Sequence, residues 1–165
     1  MTVTTNCSRR RSAGFTMVEL LVTIAIATIL TTIAIPSFSG LIASQRAKTA
    51  ASELFASFLT ARSDAIALNA NVTVSPLAGG WNQGWQILGP TANVLESHGA
   101  VAGVTIAPTP LGSIVTYRPS GRVVTGLSTA TTSILVTTTS GSTHNYQCIS
   151  LNLNGRPSQQ AANAC

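Results

Sequence analysis

The sequence predicts an α+β protein in which one long N-terminal helix precedes a domain of antiparallel strands. An apolar run at 15–35 and a helical period that continues to Leu68 predict the helix. From Val72 onward, short β-branched segments separated by Gly, Pro, Ser and Asn predict strands. A chain of 165 residues is long enough for one such domain with a buried core.

The composition excludes several classes of protein. Only 8% of the side chains are charged and 45% are hydrophobic, whereas a disordered chain needs high charge and low hydrophobicity. A coiled coil would be rich in Glu and Lys. A polytopic membrane protein would show several long apolar runs, and this sequence shows one.

The apolar run from Phe15 to Ile35 is preceded by Arg9, Arg10 and Arg11. As a helix it would span about 31 Å, close to the thickness of a bilayer core, and the basic flank would stay in the cytoplasm. A cleaved secretory signal is the alternative, but no Ala-x-Ala site follows and the run is long for such a signal. The sequence therefore favours a retained anchor.

Glu19 lies four residues inside this apolar run. A carboxylate near the membrane centre costs roughly 2.5–3.5 kcal/mol and normally has a partner there. The alternative is a side chain that reaches water from near the helix end. The sequence therefore predicts a partner for Glu19.

Beyond the membrane, apolar residues recur at spacings of three and four, as on one face of a helix. Phe55, Leu59 and Ile66 widen this stripe, and Asn69–Asn71 predicts the helix end. Pro36 interrupts the pattern and predicts a kink. The residues of the stripe are Ala47, Ala50, Leu54, Phe58, Ala61, Ala65 and Leu68.

Seven segments are predicted as strands because they are short, β-branched and bounded by turn residues. Ser120-Gly121 is predicted to turn one hairpin. The segments are 72–74, 85–88, 104–106, 114–117, 122–124, 133–137 and 146–153.

The stretch Gly14-Phe15-Thr16-Met17-Val18-Glu19-Leu20-Leu21-Val22, after a basic leader, resembles the class III signal of type IV prepilins and type II secretion pseudopilins. The resemblance implies cleavage between Gly14 and Phe15 by a prepilin peptidase and N-methylation of Phe15. It also implies that Glu19 neutralises the Phe15 amine of a neighbouring subunit during assembly, since opposite charges stabilise each other in a dry environment. Pro36 resembles the point where pilin helices bend in the filament, a passive kink being the alternative.

Four further segments resemble the GspH/FimT group of minor pilins and pseudopilins. They are 61–67, 81–85, 117–122 and 153–156. The resemblance implies a type IV pilin-like fold, with the helix packed on two small antiparallel sheets. It divides the chain into a cleaved leader at 1–14, a transmembrane and assembly half-helix at 15–44, and a periplasmic domain at 45–165.

The implied location is a single pass through the inner membrane followed by assembly into a pilus or pseudopilus at the cell surface. The implied partners are other major and minor pilins or pseudopilins, the prepilin peptidase and the inner membrane. Loss of the leader removes Cys7 and leaves Cys148 and Cys165, which we predict to form a disulfide in the oxidising periplasm.

Neither catalysis nor a cofactor is predicted. His98 and His144 are isolated, and Glu96 with His98 is interpreted as a pair in a loop. The two Cys and two His lack the spacing of metal ligands. No phosphate-binding glycine loop or Ser-His-Asp pattern is present.

Double-stranded DNA is the remaining partner to consider. Some FimT-type pilins carry a C-terminal Gly-Arg-x-Arg that resembles Gly155-Arg156-Pro157-Ser158, except that Ser158 replaces the second Arg. Arg118 and Arg122 could supplement Arg156 if the fold brings them together. The sequence thus favours a FimT-like minor pilin in pilus assembly or initiation, with DNA uptake as a further role. The alternative is a GspH-like minor pseudopilin of a type II secretion system.

Overall fold

A computed structural model describes residues 14–110, 114–124, 132–141 and 143–165, and within them one α-helix, one short 3-10 helix (Trp81–Gln83) and nine strands form. All strand pairs are antiparallel and lie in two sheets, which confirms the predicted α+β class. The helix is α1 (Met17–Ala67). The strand order of the first sheet is β3 (Val94–Gly99), β2 (Gly84–Leu88), β1 (Val72–Pro76), β5 (Val115–Tyr117) and β6 (Val123–Val124). The strand order of the second sheet is β4 (Val104–Thr109), β7 (Thr132–Ser140), β8 (Thr143–Leu151) and β9 (Pro157–Gln160).

The chain divides into two compact units, Met1–Phe38 and Ser39–Cys165. Every buried core side chain among the described residues belongs to the second unit, from Ala43 onward. In the first unit the described side chains of α1 are exposed. Among the described residues, no helix combines the length and the mean hydropathy that a membrane crossing requires.

In the second unit, α1 presents a narrow face of small residues to both sheets. Ala47, Ala50, Ala61 and Ala65 are fully or almost fully buried, as predicted. Because alanine projects only a methyl group, the helix axis can approach the strands closely. Leu54 and Phe58 then fill the space between the sheets.

Three residues of the predicted stripe lie outside the core. Leu59, Ile66 and Leu68 are about half exposed, so their assignment to the buried face is wrong. Leu68 follows the helix end at Ala67, where Asn69 adopts a left-handed backbone with φ 49° as predicted. Leu59 and Ile66 lie on the flank of α1 because the sheets cover a narrower stripe than the apolar face offers.

Two edge strands were missed from the sequence. β3 is exposed on both faces, so it lacks the alternation that identifies a half-buried strand. β9 is polar and begins with Pro157, which is tolerated at the start of an edge strand. Glu96 and His98 therefore lie on a strand, and their assignment to a loop is wrong.

α1 is continuous through residue 36, so the helix does not break at Pro36. The kink at this position stays a prediction.

The tryptophans of the 81–85 segment are core residues: Trp81 and Trp85 are buried, and the Trp85 indole donates a 2.8 Å hydrogen bond to Ser57 Oγ on α1.

The predicted disulfide between Cys148 and Cys165 is confirmed, with a Cα–Cα distance of 5.6 Å. Cys148 is fully buried on β8, whereas Cys165 is exposed. The bond therefore ties the C-terminal tail to the second sheet.

We expect the Cys148→Ala/Cys165→Ala double variant of the unit Ser39–Cys165 to lose about 3 kcal/mol of unfolding free energy, because the bond closes a loop of 17 residues in the unfolded chain. Urea unfolding measures this loss. Reduction of the unsubstituted unit should produce a similar loss and leave the variant unchanged. Equal stability of the oxidised and reduced forms would contradict the prediction.

Candidate functional site

The first candidate site is the start of α1. Thr16 caps the helix, because its hydroxyl accepts a 3.2 Å hydrogen bond from the backbone N–H of Glu19. The Thr16 carbonyl oxygen accepts a second hydrogen bond, from the backbone N–H of Leu20, also at 3.2 Å. Thr16 and Glu19 thus have the spacing of a capping box. Sequence reasoning missed the role of Thr16, although the Thr-x-x-Glu pattern was a sufficient signal.

The Glu19 carboxylate lies in the first turn of α1, where the helix dipole favours a negative charge. The residue is exposed, and none of the described residues places a cation within ion-pair distance of it. Phe15, the residue before the Thr16 cap, is 68% exposed. This site can therefore offer a carboxylate to a cation from outside the chain.

The part of α1 that follows Glu19 is mainly apolar, and the hydroxyls of its threonines bond to carbonyls of the helix itself. A helix with this property is normally covered by lipid or by other protein. Its exposed large side chains include Leu20, Leu21, Val22, Ile24, Ile26, Ile29 and Leu30.

The second candidate site is formed by two turns. The hairpin between β5 and β6 turns through Arg118–Arg122, with the Arg118 N–H bonded to the Arg122 carbonyl at 2.9 Å. Gly121, at φ 72°, provides the left-handed position of this turn, which confirms the predicted hairpin. The turn between β8 and β9 is closed by a 2.9 Å bond from the Gly155 N–H to the Asn152 carbonyl.

The two turns pack directly against each other at their glycines. A Cβ on Gly155 would collide with the carbonyl oxygen of Gly121. The contact places Arg122 and Arg156, each adjacent to one of these glycines, on neighbouring turns. Arg118, at the other end of the hairpin loop, belongs to the same group, and all three arginines are exposed.

Arg62 of α1 lies beneath the hairpin and donates a 3.0 Å hydrogen bond from Nε to the Gly121 carbonyl. The residue is half-buried, so its first role is to hold the turn on the helix. Sequence reasoning noted the segment around Arg62 but did not connect it with the other arginines. A signal for that connection was absent, because the contact joins residues 59 positions apart.

Tyr117 lies at the base of the same site, with its ring next to Gly155. Burial raises the pKa of the Tyr117 phenol well above its usual range, and the Arg62 guanidinium partly opposes this rise. The phenol therefore stays neutral, and the charge of the site comes from the arginines. Ser158 adds no charge, and its hydroxyl donates to the Ser150 carbonyl at 3.4 Å.

Among the other polar residues, Glu96 and His98 form a close pair on β3. The His98 imidazole lies 2.9 Å from a Glu96 carboxylate oxygen and stacks on Trp85 with ring centroids 5.1 Å apart. No group of three His, Cys, Asp or Glu residues in the described ranges is arranged to hold a metal ion.

The chain matches two protein-family models. One, described as type II transport protein GspH, matches residues 50–155, and the other, the prokaryotic N-terminal methylation motif, matches residues 9–35. Two crystal structures of the type IV minor pilin FimU from Pseudomonas aeruginosa share the fold, with TM-scores of 0.57 and 0.56 at 20% identity. Each match covers 72% of this chain and, respectively, 93% and 98% of the two FimU chains. A search of curated proteins found no match.

We expect Gly155→Ala to destabilise the unit Ser39–Cys165 by at least about 3 kcal/mol, because the new Cβ adds a backbone collision to left-handed strain. Gly141→Ala is the matched control. Its φ is also positive, at 59°, but nothing lies within 4 Å of the new Cβ, so strain alone should cost about 1 kcal/mol. Urea unfolding of both variants tests this, and equal losses would refute the packing of the two turns.

Proposed function

The chain belongs to the type II transport protein GspH family of minor type IV pilins and pseudopilins, and we propose that it acts as a FimT-like minor pilin in pilus assembly or initiation. The observation that carries the proposal is the order of two matched segments. An N-terminal methylation motif at 9–35 leads directly into a GspH domain at 50–155. The family is one of structural filament subunits.

The proposed maturation begins with removal of residues 1–14. Cleavage after Gly14 would free the amine of Phe15, two residues before α1 begins at Met17. Thr16 would then cap the first turn, so that the helix starts next to the new terminus. N-methylation of this amine would preserve its positive charge.

The proposed assembly contact joins Glu19 of one subunit to the Phe15 amine of another. Glu19 is exposed and lacks an ion-pair partner among the described residues, so a neighbouring chain is free to supply the cation. Inside a lipid or filament environment, an unpaired carboxylate would be costly. Pairing therefore favours incorporation of the subunit and fixes its axial position.

The methylation motif and the family indicate a membrane-anchored periplasmic subunit. We propose that residues 15–44 form its membrane and assembly segment. The support is the exposed apolar surface of α1 described above, which lipid or neighbouring helices would cover. The second unit, with its disulfide, would lie in the periplasm before assembly.

We expect Glu19→Gln to lower the amount of the protein in sheared surface filaments by on the order of tenfold, because it removes the charge that pairs with the amine. Gln retains the capping-box pattern, so the helix start should be preserved. Immunoblots of filament and membrane fractions, with the mature mass as a check of cleavage after Gly14, measure the effect. Secretion of type II substrates in a deletion strain identifies the pseudopilin alternative.

Thr16→Ala is the matched control, since it removes the cap and keeps the Glu19 charge. We expect this variant to assemble. If Thr16→Ala fails to enter surface filaments while Glu19→Gln enters them normally, Glu19 serves only the helix start and the proposed ion pair is wrong.

A second function, binding of double-stranded DNA, is favoured by the contact between the two arginine-bearing turns. Arg118, Arg122 and Arg156 are exposed on neighbouring turns, and no described carboxylate lies within ion-pair distance of them. Such a group of arginines can contact DNA phosphates, and these contacts depend on charge and not on the base sequence. The absence of a second Arg at Ser158 makes this a weaker charge cluster than the full motif.

We expect the unit Ser39–Cys165 to bind duplex DNA more weakly at about 200 mM than at about 50 mM salt. Arg156→Ala should reduce the logarithmic salt slope by about one, because one phosphate contact is lost. Ser158→Arg should tighten binding, and Arg46→Ala, on α1 next to Gly103, is the control. Fluorescence anisotropy measures all four, and binding without salt dependence would contradict the role of the arginines.

A further inference from the structure

Arg62 of α1 is held where the two arginine-bearing turns meet. Its Nε donates a 3.0 Å hydrogen bond to the Gly121 carbonyl oxygen, the same atom that a Cβ on Gly155 would meet. Nη2 of the same guanidinium lies 3.5 Å from the position that a Cβ on Gly121 would take. The charged end of Arg62 therefore lies against the contact between the turns, whose glycines precede Arg122 and Arg156 in the chain.

The Arg62 guanidinium is half-buried and lacks a counter-charge among the described residues. None of the carboxylates there lies within ion-pair distance of it. Asp64 is two positions further along α1, and residues with this spacing do not face each other on a helix. The Tyr117 phenol interacts with Arg62, but burial raises the pKa of this phenol well above its usual range, so the phenol stays neutral. A cation that loses part of its hydration without gaining an anion is costly.

The same guanidinium has hydrogen-bond donors to offer. Arginine carries five N–H groups in a planar fork, and in the part of the chain that the structure describes the Gly121 carbonyl oxygen is the acceptor bonded to it. The two Nη groups can donate in parallel to two oxygen atoms of one phosphate, a geometry that lysine cannot reproduce. The unused donors of Arg62 are therefore suited to an oxyanion.

Three further positive charges lie on the turns that Arg62 contacts. Arg118, Arg122 and Arg156 are exposed, and no described carboxylate is paired with any of them. Exposed arginines can turn apart in water, whereas Arg62 is fixed by its bond to the hairpin. A group of like charges around one fixed cation produces a positive potential that attracts anions.

We propose that Arg62 forms the floor of a discrete oxyanion site, which holds one phosphate group where the Gly121 and Gly155 turns meet, with Arg122 and Arg156 as its outer ligands. The phosphate belongs either to the DNA backbone or to a free ion. The inference rests on the proposed binding of DNA and deepens it, because it names the residue that fixes the first phosphate. Arg62 supplies from the helix a charge that Ser158 does not supply from the strand.

The first test follows Arg62 directly in the unit Ser39–Cys165, which contains the whole described core. Inorganic phosphate is titrated into the ¹⁵N-labelled unit, with sodium chloride adjusted to keep the ionic strength constant. The Arg62 Nε–Hε resonance should shift saturably, with a dissociation constant on the order of 1 mM for so small a ligand. A resonance that does not respond, or that responds equally to added chloride, would overturn the proposal.

The second test removes the charge of Arg62 and retains a donor for the Gly121 carbonyl. Arg62→Gln should weaken phosphate binding about tenfold or more, because the charge-assisted hydrogen bonds are lost. It should also lower the logarithmic salt slope of duplex DNA binding by about one. Arg62→Lys, which keeps the charge and loses the planar fork, should bind phosphate with an intermediate affinity.

Arg46→Gln is the matched control, because it makes the same substitution on the same helix beside Gly103. It should bind phosphate and DNA as the original unit does. A merely structural role for Arg62 predicts a different pattern: Arg62→Gln, with the amide signals of Gly121 and Gly155 unchanged, would bind phosphate normally, and that result would disprove the site. The Nε titration of the original unit decides the question if Arg62→Gln disturbs those signals.

Failure of the oxyanion site is distinguishable from failure of DNA binding. Salt-dependent DNA binding that Arg62→Gln leaves unchanged, in a unit that does not bind phosphate, disproves the site and leaves the DNA function intact. Saturable phosphate binding through Arg62, in a unit that does not bind duplex DNA, disproves the DNA function and identifies the free ion as the source of the phosphate.

Discussion

The close packing of the alanine face of α1 on two sheets is the constraint on which the second unit depends. Methyl groups at Ala47, Ala50, Ala61 and Ala65 let the helix contact both sheets at once, and Leu54 with its neighbours fills the space between them. The same helix supplies polar side chains at the rim of that face. Arg62 donates a hydrogen bond to the hairpin that carries Arg118 and Arg122, and Ser57 accepts one from the Trp85 indole. Lys48 lines a cleft beside β8.

The two ends of α1 have opposite requirements. From Ala43 onward one face of α1 is buried within the chain, whereas the exposed apolar surface before Thr32 and the Glu19 carboxylate need partners from outside it. A subunit with these properties is incomplete by itself. This is the physical reason why the chain suits the role of a filament subunit.

The polar surfaces of the second unit are arranged by turns and edges. The arginines at 118, 122 and 156 are neighbours because Gly121 and Gly155 allow two turns to meet without intervening side chains. A cleft of about 320 Å³ lies between α1, β8 and the C-terminal tail, which the disulfide ties back to β8. Neither feature follows from the local pattern of residues. Both depend on contacts between segments that are distant in the chain.

The sequence by itself determined the helix, the change to strands at Val72, the N-terminal methylation motif and the disulfide partners. These are local periodicities, a contiguous motif, or a pairing left by elimination of Cys7. Only the tertiary structure decided the β3 and β9 edges, the true width of the buried helix face and the meeting of the arginine turns. Exposed edge strands lack an alternating pattern, and the position of a turn in space depends on the packing of residues far apart in the chain.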